Sequence, residues 1–411
     1  MSDVRPFRGL RPRAELVQKV ACPPYDVLSL DEAAHLAQDN PESFLHVIRA
    51  EIDLGPGADP HSQQVYEQSR QKLQEMISDK VMLQDETACF YVYRLIRDGH
   101  EQYGLVASVS LDEYENDLVK KHELTRPVKE ADRAKHIEIL KANAGPVLLA
   151  YRARQEIADL IQRICSSSEP VYNFAADDDV DHCLWPISSP GEITQLQETF
   201  VSVPALYIAD GHHRAAAASR VREIMRSSNP HHSGDEEYNY FLAVAFPDQD
   251  LRIMGYNRVV RDLSNLSVEE FLQQVGQKFN VSSSNRREPE AAHLFSMFLD
   301  GDWYRLEARP GSFAADDPVE QLDASILQNN LLGPILGIED PRADQRIDFV
   351  GGVRGTLELE RRCSQDMRVA FCVYPVAVEQ LMAVADEGLV MPPKSTWFEP
   401  KLRSGIVVRP I

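Results

Sequence analysis

Long apolar runs, paired cysteines, glycine-rich phosphate loops and an excess of positive charge are all missing from this 411-residue chain. No stretch reaches the ~18 apolar residues of a transmembrane helix, so none is expected. The first ten residues carry Asp3, Arg5 and Arg8 and no apolar core, which argues against a secretory signal. Six cysteines (Cys22, Cys89, Cys165, Cys183, Cys363 and Cys372) stand singly, with no CxxC pair. They read as reduced core residues of a cytoplasmic protein, not as disulfides or a zinc site. Basic residues number 43 against 64 acidic ones, a formal charge of −21. Such a surface repels phosphate backbones and excludes a general nucleic-acid coat, although a few well-placed cations can still hold one nucleotide. Neither GxxxxGK[ST], GxGxxG nor GxSxG occurs, which weighs against a Walker loop, a dinucleotide fold and a nucleophile elbow. Lys394-Ser395-Thr396 ends like a Walker loop but follows Pro392-Pro393 instead of glycines.

With 43% apolar residues the chain can bury more than one core, at ~100–200 residues per domain. Strands and helices mix throughout, so the expected class is α+β. Ser29-Leu-Asp-Glu32 and Ser267-Val-Glu-Glu270 are helix-capping patterns. Asp59-Pro60 opens another helix, and Asp98-Gly99 joins two β-rich runs as a hairpin turn. Helices are expected over 132–142, 155–166 and 319–336, and a strand over 146–153. Residues 240–246 and 251–260 read as a strand pair, and the polar stretch 227–237 as the best linker, with a domain break near 230. Residues 390–408 lack a helical period. Asp177-Asp-Asp179 reads as a solvated loop before it reads as a metal site.

The sharpest local feature is Ile208-Ala-Asp-Gly-His-His-Arg214, a short strand running into a helix start. Free amides and the macrodipole of a helix N-terminus attract anions, and Gly211 removes the Cβ that would keep a ligand off the backbone. His212, His213 and Arg214 can add charge-assisted hydrogen bonds to phosphate. Asp210 either caps the helix or holds a Mg²⁺ bridging the phosphates. The dipole contributes only ~0.3–1 kcal/mol, whereas micromolar binding needs about −8 kcal/mol, so the charged side chains would have to supply most of the affinity. The alternatives at this point are capping histidines with no ligand, or a metal hydrolase. Three further segments combine stiffness with polar groups. Pro23-Pro-Tyr-Asp-Val27 presents Asp26 just before a capped helix, either as a turn acceptor or as a base for a hydroxyl. His122-Glu-Leu-Thr125, with Lys129 and Asp132-Arg133, gathers acids, bases and a hydroxyl. Met391-Pro-Pro-Lys-Ser-Thr-Trp-Phe398 sets Lys394 and Ser395 beside two aromatics, either as a plain tail or as a flap over phosphate.

Taken together, PPYDV, NPESFLHVIRAEID at 40–53, HELT at 122–125, ADGHHR at 209–214 and MPPKSTWFEPKL at 391–402 resemble the bacterial family catalogued as domain of unknown function 1015. The DGHHR segment is similar to the phosphate-binding motif of the free-serine kinases, which belong to the ParB/sulfiredoxin-like superfold. That resemblance implies a nucleotide-binding catalytic domain over 1–230 with an insertion at about 85–204, then a C-terminal α+β region over 231–411 whose 390–408 tail returns to the site. It implies Mg-dependent transfer of a phosphoryl group from ATP or ADP to the hydroxyl of a small metabolite such as free serine. Gly211, His212, His213 and Arg214 would bind phosphate, with Lys394 and Ser395 also on the nucleotide. Asp26 would be the base and Asp210 the catalytic metal ligand, while His122, Glu123, Thr125 and Arg133 would face the substrate. Partners would be the nucleotide and the metabolite, without nucleic acid or membrane. The alternative is a regulatory protein that binds a nucleotide without turnover.

Overall fold

The computed structural model describes residues 2–55 and 57–411, a mixed α+β chain. It divides into two compact units, Met1–Leu251 with Pro400–Ile411, and Arg252–Glu399.

The first unit is built on a nine-stranded sheet. Its strands are β1 (Val4–Arg5), β2 (Phe90–Arg97), β3 (His100–Ser110), β4 (Val119–Lys120), β5 (Val147–Tyr151), β6 (Tyr172–Ala175), β7 (Asp181–Ile187), β8 (Leu206–Asp210) and β9 (Tyr240–Pro247). They lie in the order β4-β8-β5-β9-β3-β2-β7-β6, with β1 against β3. Every residue of β9 is buried, as suits an apolar run in the middle of a sheet covered on both faces. The β2–β3 hairpin turns where expected. Asp98 and Gly99 both have positive φ (51° and 75°), the pair of left-handed residues that matches strand twist. Residues 85–204, expected as an insertion, supply six of the nine strands and so build the sheet that carries β8. Leu105, Val147, Leu149, Ile208 and Phe241 belong to the core beneath it.

Four helices position the site: α1 (Leu30–Ala37), α2 (Gln63–Ser78), α3 (Pro127–Leu140) and α4 (His212–Ser228). The Ser29/Glu32 capping box is present on α1. Asp59 accepts from the His61 amide at 2.9 Å in the turn ahead of α2, so that helix starts at Gln63 instead of Pro60. Pro127, which lacks an amide hydrogen to lose, sits in the first turn of α3, five residues before the expected start at Asp132. Helix α3 packs against both α2 and α4.

The last twelve residues thread back through the first unit. Ser404 pairs with Cys22, Val408 with Leu10, and Arg409–Pro410 with Ala142–Asn143. Arg409 is fully buried and donates to Ser108 Oγ (2.7 Å), Asn143 Oδ1 (3.3 Å), and the carbonyls of Tyr240 (3.0 Å) and Glu237 (2.6 Å), with the Glu237 carboxylate as counter-ion. The irregular tail expected over 390–408 is therefore divided: Trp397–Glu399 pairs with Arg252–Met254 in the second unit, and residues from Pro400 belong to the first.

The second unit carries an antiparallel sheet of β10 (Tyr256–Val260), β11 (Phe279–Ser283), β12 (Leu294–Leu299), β13 (Asp302–Ala308), β14 (Ile347–Gly351) and β15 (Val369–Val373), in the order β11-β13-β12-β15-β10-β14. Its core includes Phe271, Phe295, Leu306, Leu331 and Phe371. Three expectations change here. The break falls at Leu251/Arg252, because the polar 227–237 segment leads into β9 at the centre of the first sheet. Residues 251–260 do not pair with 240–246. They split at Gly255, where a Cβ would stand 2.4 Å from the Val373 carbonyl, and join strands of the second unit. The 319–336 helix shrinks to Asp323–Leu327 followed by a π-turn over Gln328–Leu332. Asp317 Oδ1 ties up the amides of Val319 and Glu320 in a turn that precedes it. All six cysteines are free thiols. Among the described residues no helix is long and apolar enough to cross a membrane.

Candidate functional site

Strand β8 ends at Asp210 and the chain turns through Gly211 into α4. Gly211 has φ 99° and ψ 29°, a left-handed conformation that costs an ordinary residue about 1–2 kcal/mol. A Cβ there would lie 3.4 Å from the Arg214 guanidinium and from Val147 Cα, so glycine keeps the helix entrance open.

Two carboxylates and two cations converge at this entrance. Arg214 NH2 lies 3.4 Å from Asp26 Oδ2 and 4.0 Å from Asp210 Oδ2, and its NH1 donates to the Pro146 carbonyl. Lys401 Nζ donates to Asp210 Oδ2 at 3.1 Å. Burial alone would raise the Asp210 carboxyl, but Lys401 and then Arg214 override it and hold the group well below the usual carboxylate range. Asp26 and Arg214 are 188 residues apart, and the turn carrying Asp26 is held from below. Arg49 NH1 donates to the carbonyls of Tyr25 (2.8 Å) and Leu28 (2.9 Å), on either side of Asp26, while its Nε donates to Glu51 at 2.6 Å.

The two motif histidines face the HELT segment. The His122 amide donates to His212 Nε2 at 3.4 Å, the two rings meet edge to face at 4.4 Å, and Glu123 lies 3.8 Å from His212 Nδ1. The Arg126 amide donates to His213 Nε2 at 3.0 Å. Burial, reinforced by His122, drives His212 well below its ordinary value, and burial likewise pushes His122 down to about 4. Both imidazoles are therefore neutral near pH 7.

Beside this entrance lies a cavity of about 500 Å³ walled by α2, α3 and the 47–51 segment. Tyr25, Ile48, Arg133 and His136 line it and also line the crevice next to Arg214.

The profile of the family described as "Protein of unknown function (DUF1015)" matches residues 4–325. The chain belongs to that family. This DUF1015 protein is similar in structure to a free serine kinase in complex with AMP, at 12% identity over 72% of this chain and 86% of that one, with a TM-score of 0.35. It is similar to a conserved hypothetical protein from Pyrococcus furiosus (13% identity, 74% and 95% covered, TM-score 0.35). A third is SbnI with C-terminal truncation from Staphylococcus aureus (12% identity, 73% and 85% covered, TM-score 0.37). No curated protein matches it.

In this DUF1015 member the expected residues divide into those that meet and those that do not. Asp26, Asp210, Gly211 and Arg214 share the α4 entrance. His212 and His213 touch it too, and each accepts from the backbone of residues 122–126; His212, neutral, is not the cationic phosphate donor expected from its place in the motif. His122 and Glu123 pack on His212, whereas Thr125 donates to Glu130 at 3.0 Å. Arg133 lies over the Tyr25 ring at 4.2 Å and pairs with Asp132, in the wall of the cavity. Lys394 and Ser395 belong to the second unit, where Lys394 Nζ lies 5.0 Å from the Tyr256 ring centroid and Ser395 Oγ donates to the Pro392 carbonyl at 2.6 Å. The cation hydrogen-bonded to Asp210 is Lys401, seven residues after Lys394; its only sequence signal was a second lysine after Glu399-Pro400. Among the described residues no group of three or more His, Cys, Asp or Glu could hold a metal ion. What the entrance offers chemically is the N-terminus of α4, two cations and two carboxylates around a glycine.

Proposed function

We propose that this protein binds the phosphates of ATP or ADP at the Gly211 entrance of α4 and transfers a phosphoryl group to the hydroxyl of a small metabolite of the serine type, on a ParB/sulfiredoxin-like nucleotide unit. The observation that carries this reading is the meeting of Asp26 with Arg214 and of Lys401 with Asp210, from three distant parts of the chain, at one helix N-terminus. Arg214 and Lys401 would turn from their carboxylates to phosphate oxygens, adding charge-assisted bonds of ~1.5–3 kcal/mol each to the weak dipole term. The acceptor oxygen attacks the terminal phosphorus, the bond to the bridging oxygen breaks with its electron pair left on the nucleotide, and Asp26 takes the hydroxyl proton. Phosphoryl transfer asks mainly for such positioning and charge neutralisation.

Mg²⁺ fits this arrangement only as an ion carried by the nucleotide. The donor set is the Asp210 carboxylate, which matches the way Mg²⁺ sits on substrate phosphates but makes no cage of its own. When bound it would neutralise phosphate charge. His212 and His213 act through the 122–126 backbone, holding that segment across the start of α4.

A second reading is a nucleotide-binding regulator without turnover. It is favoured by the Asp26–Arg214 ion pair, which must open before Asp26 can accept a proton. Mg-ATP and Mg-ADP incubated with the full chain and a mixture of hydroxylated metabolites, serine included, separate the two. Transfer that Asp26→Asn abolishes while nucleotide binding persists supports the transferase. Binding without any phosphorylated product, unchanged by Asp26→Asn, supports the regulator.

A further inference from the structure

The cavity of about 500 Å³ beside the entrance falls in the ~300–1,000 Å³ range of sites that enclose drug-sized ligands, several times what free serine would fill. It shares Tyr25, Ile48, Arg133 and His136 with the crevice at Arg214, so a molecule seated in it reaches toward the phosphate entrance. Its wall carries four cations, Arg49, Arg126, Lys129 and Arg133, and two carboxylates, Glu51 and Asp132. Both carboxylates are committed within the wall. Glu51 accepts from Arg49, and Asp132 accepts from Arg133 Nε (2.7 Å), Tyr66 Oη (2.6 Å) and His61 Nδ1 (2.9 Å). Cations outnumber carboxylates in this wall by two, in a chain whose overall charge is −21. The Asp132 carboxylate can only accept, because its pKa is lowered by Arg133 and by hydrogen bonds from Tyr66 and His61 against the opposing effect of burial. His61 Nδ1 therefore donates to Asp132, and the imidazole lines the cavity. Val47, Ile48 and Val65 supply apolar wall.

From size and lining charge together we infer that the cavity is the acceptor site, and that it takes a hydroxylated carboxylic acid larger than free serine, its carboxylate toward Arg126 and Lys129 and a hydroxyl on His61. The word acceptor rests on the transferase reading above; the binding itself does not.

Calorimetry on the full chain tests it, with L-serine, pantothenate and 4-hydroxyphenyllactate as probes, each beside its neutral amide or alcohol. The expected result is that one of the larger acids binds at least about tenfold more tightly than serine and than its own neutral counterpart, the worth of one charge-assisted bond. The double variant Arg126→Glu/Lys129→Glu, at exposed side chains, should weaken that acid about ten- to a hundredfold and leave ADP binding as it was. The assignment is overturned if neither larger acid binds, if serine or the neutral counterpart binds equally well, or if charge reversal has no effect. Should the double variant misfold, the wild-type chain in rising NaCl replaces it: affinity that falls with salt supports the assignment and salt-independent affinity overturns it. Acid binding without ADP binding refutes the transferase and keeps the cavity as a hydroxy-acid site. ADP binding without acid binding does the reverse.

Discussion

Replacing Lys401 by methionine keeps the length of the side chain and removes the cation 3.1 Å from Asp210. Truncating one partner of a fully buried ion pair costs ~3–5 kcal/mol, while exposed pairs are worth ~0.2–1 kcal/mol. Here the side chains are 14% and 31% exposed, and Arg214 remains 4.0 Å from Asp210, so the expected loss lies between, at about 1–2 kcal/mol. At ~2–4 °C per kcal/mol for domains of this size, Tm should fall by ~2–8 °C at pH 7. The pH dependence is the sharper part. Asp210 has a folded pKa held below its unfolded value, so its pairing stabilises fully above the unfolded value near ~3.9 and is lost as pH falls through the folded one. The gap between wild type and Lys401→Met should be full at pH 7 and shrink below pH ~4. Thermal unfolding monitored by circular dichroism from pH 3 to 8, with and without Mg-ADP, reads both effects. Nucleotide should also stabilise the variant less than the wild type. A gap that is constant down to pH 3, together with an unchanged nucleotide effect, refutes the role given to this pair.

Three other outcomes follow from the same geometry. Gly211→Ala should cost about 1–2 kcal/mol from its left-handed φ, and it should weaken nucleotide binding further because the new Cβ stands at the entrance; titration calorimetry and thermal melts separate the two, and unchanged binding contradicts the entrance as a phosphate site. Arg409→Met leaves the acceptors of Ser108, Asn143, Tyr240 and Glu237 without their buried guanidinium, so a loss of ~3–5 kcal/mol is expected; the melt should show it, along with proteolytic release of the C-terminal residues that carry Lys401. Burial pushes His122 and His136 down to about 4 and His182 to about 3. Between pH 6.5 and 4 the unfolded chain therefore binds protons that the folded chain does not, and stability must fall as pH drops, by up to ~3 kcal/mol per histidine. Urea titrations at pH 7 and pH 5 measure it, and equal stability at both would contradict the neutral imidazoles.

Local signals in the sequence translated directly where one short word closes its own hydrogen bonds. The Ser29/Glu32 and Ser267/Glu270 capping boxes and the Asp98-Gly99 turn are of this kind. Glycine before a helix likewise announced the α4 entrance. What could not be read locally was set by pairing across the chain. The strand 240–247 looks like the start of a second domain but is buried on both faces of the first sheet. The tail 390–408 reads as one proline-rich unit, yet its two halves join different units because Arg409 finds its acceptors on β3 and near β9. His212 of DGHHR illustrates a different limit: its residue type fits phosphate, but desolvation strips its charge, and desolvation is invisible until the 122–126 segment is seen lying over it.

Under the proposed function, Arg214 and its neighbours at Gly211 hold nucleotide phosphate. Titrating Mg-ADP into the full wild-type chain and into Arg214→Ala, with both melts recorded to show that each is folded, tests it most directly. Saturable binding to the wild type and a loss of about tenfold or more in the variant are expected, the worth of one charge-assisted bond. Equal binding by both folded proteins, or no binding by the wild type, would contradict it.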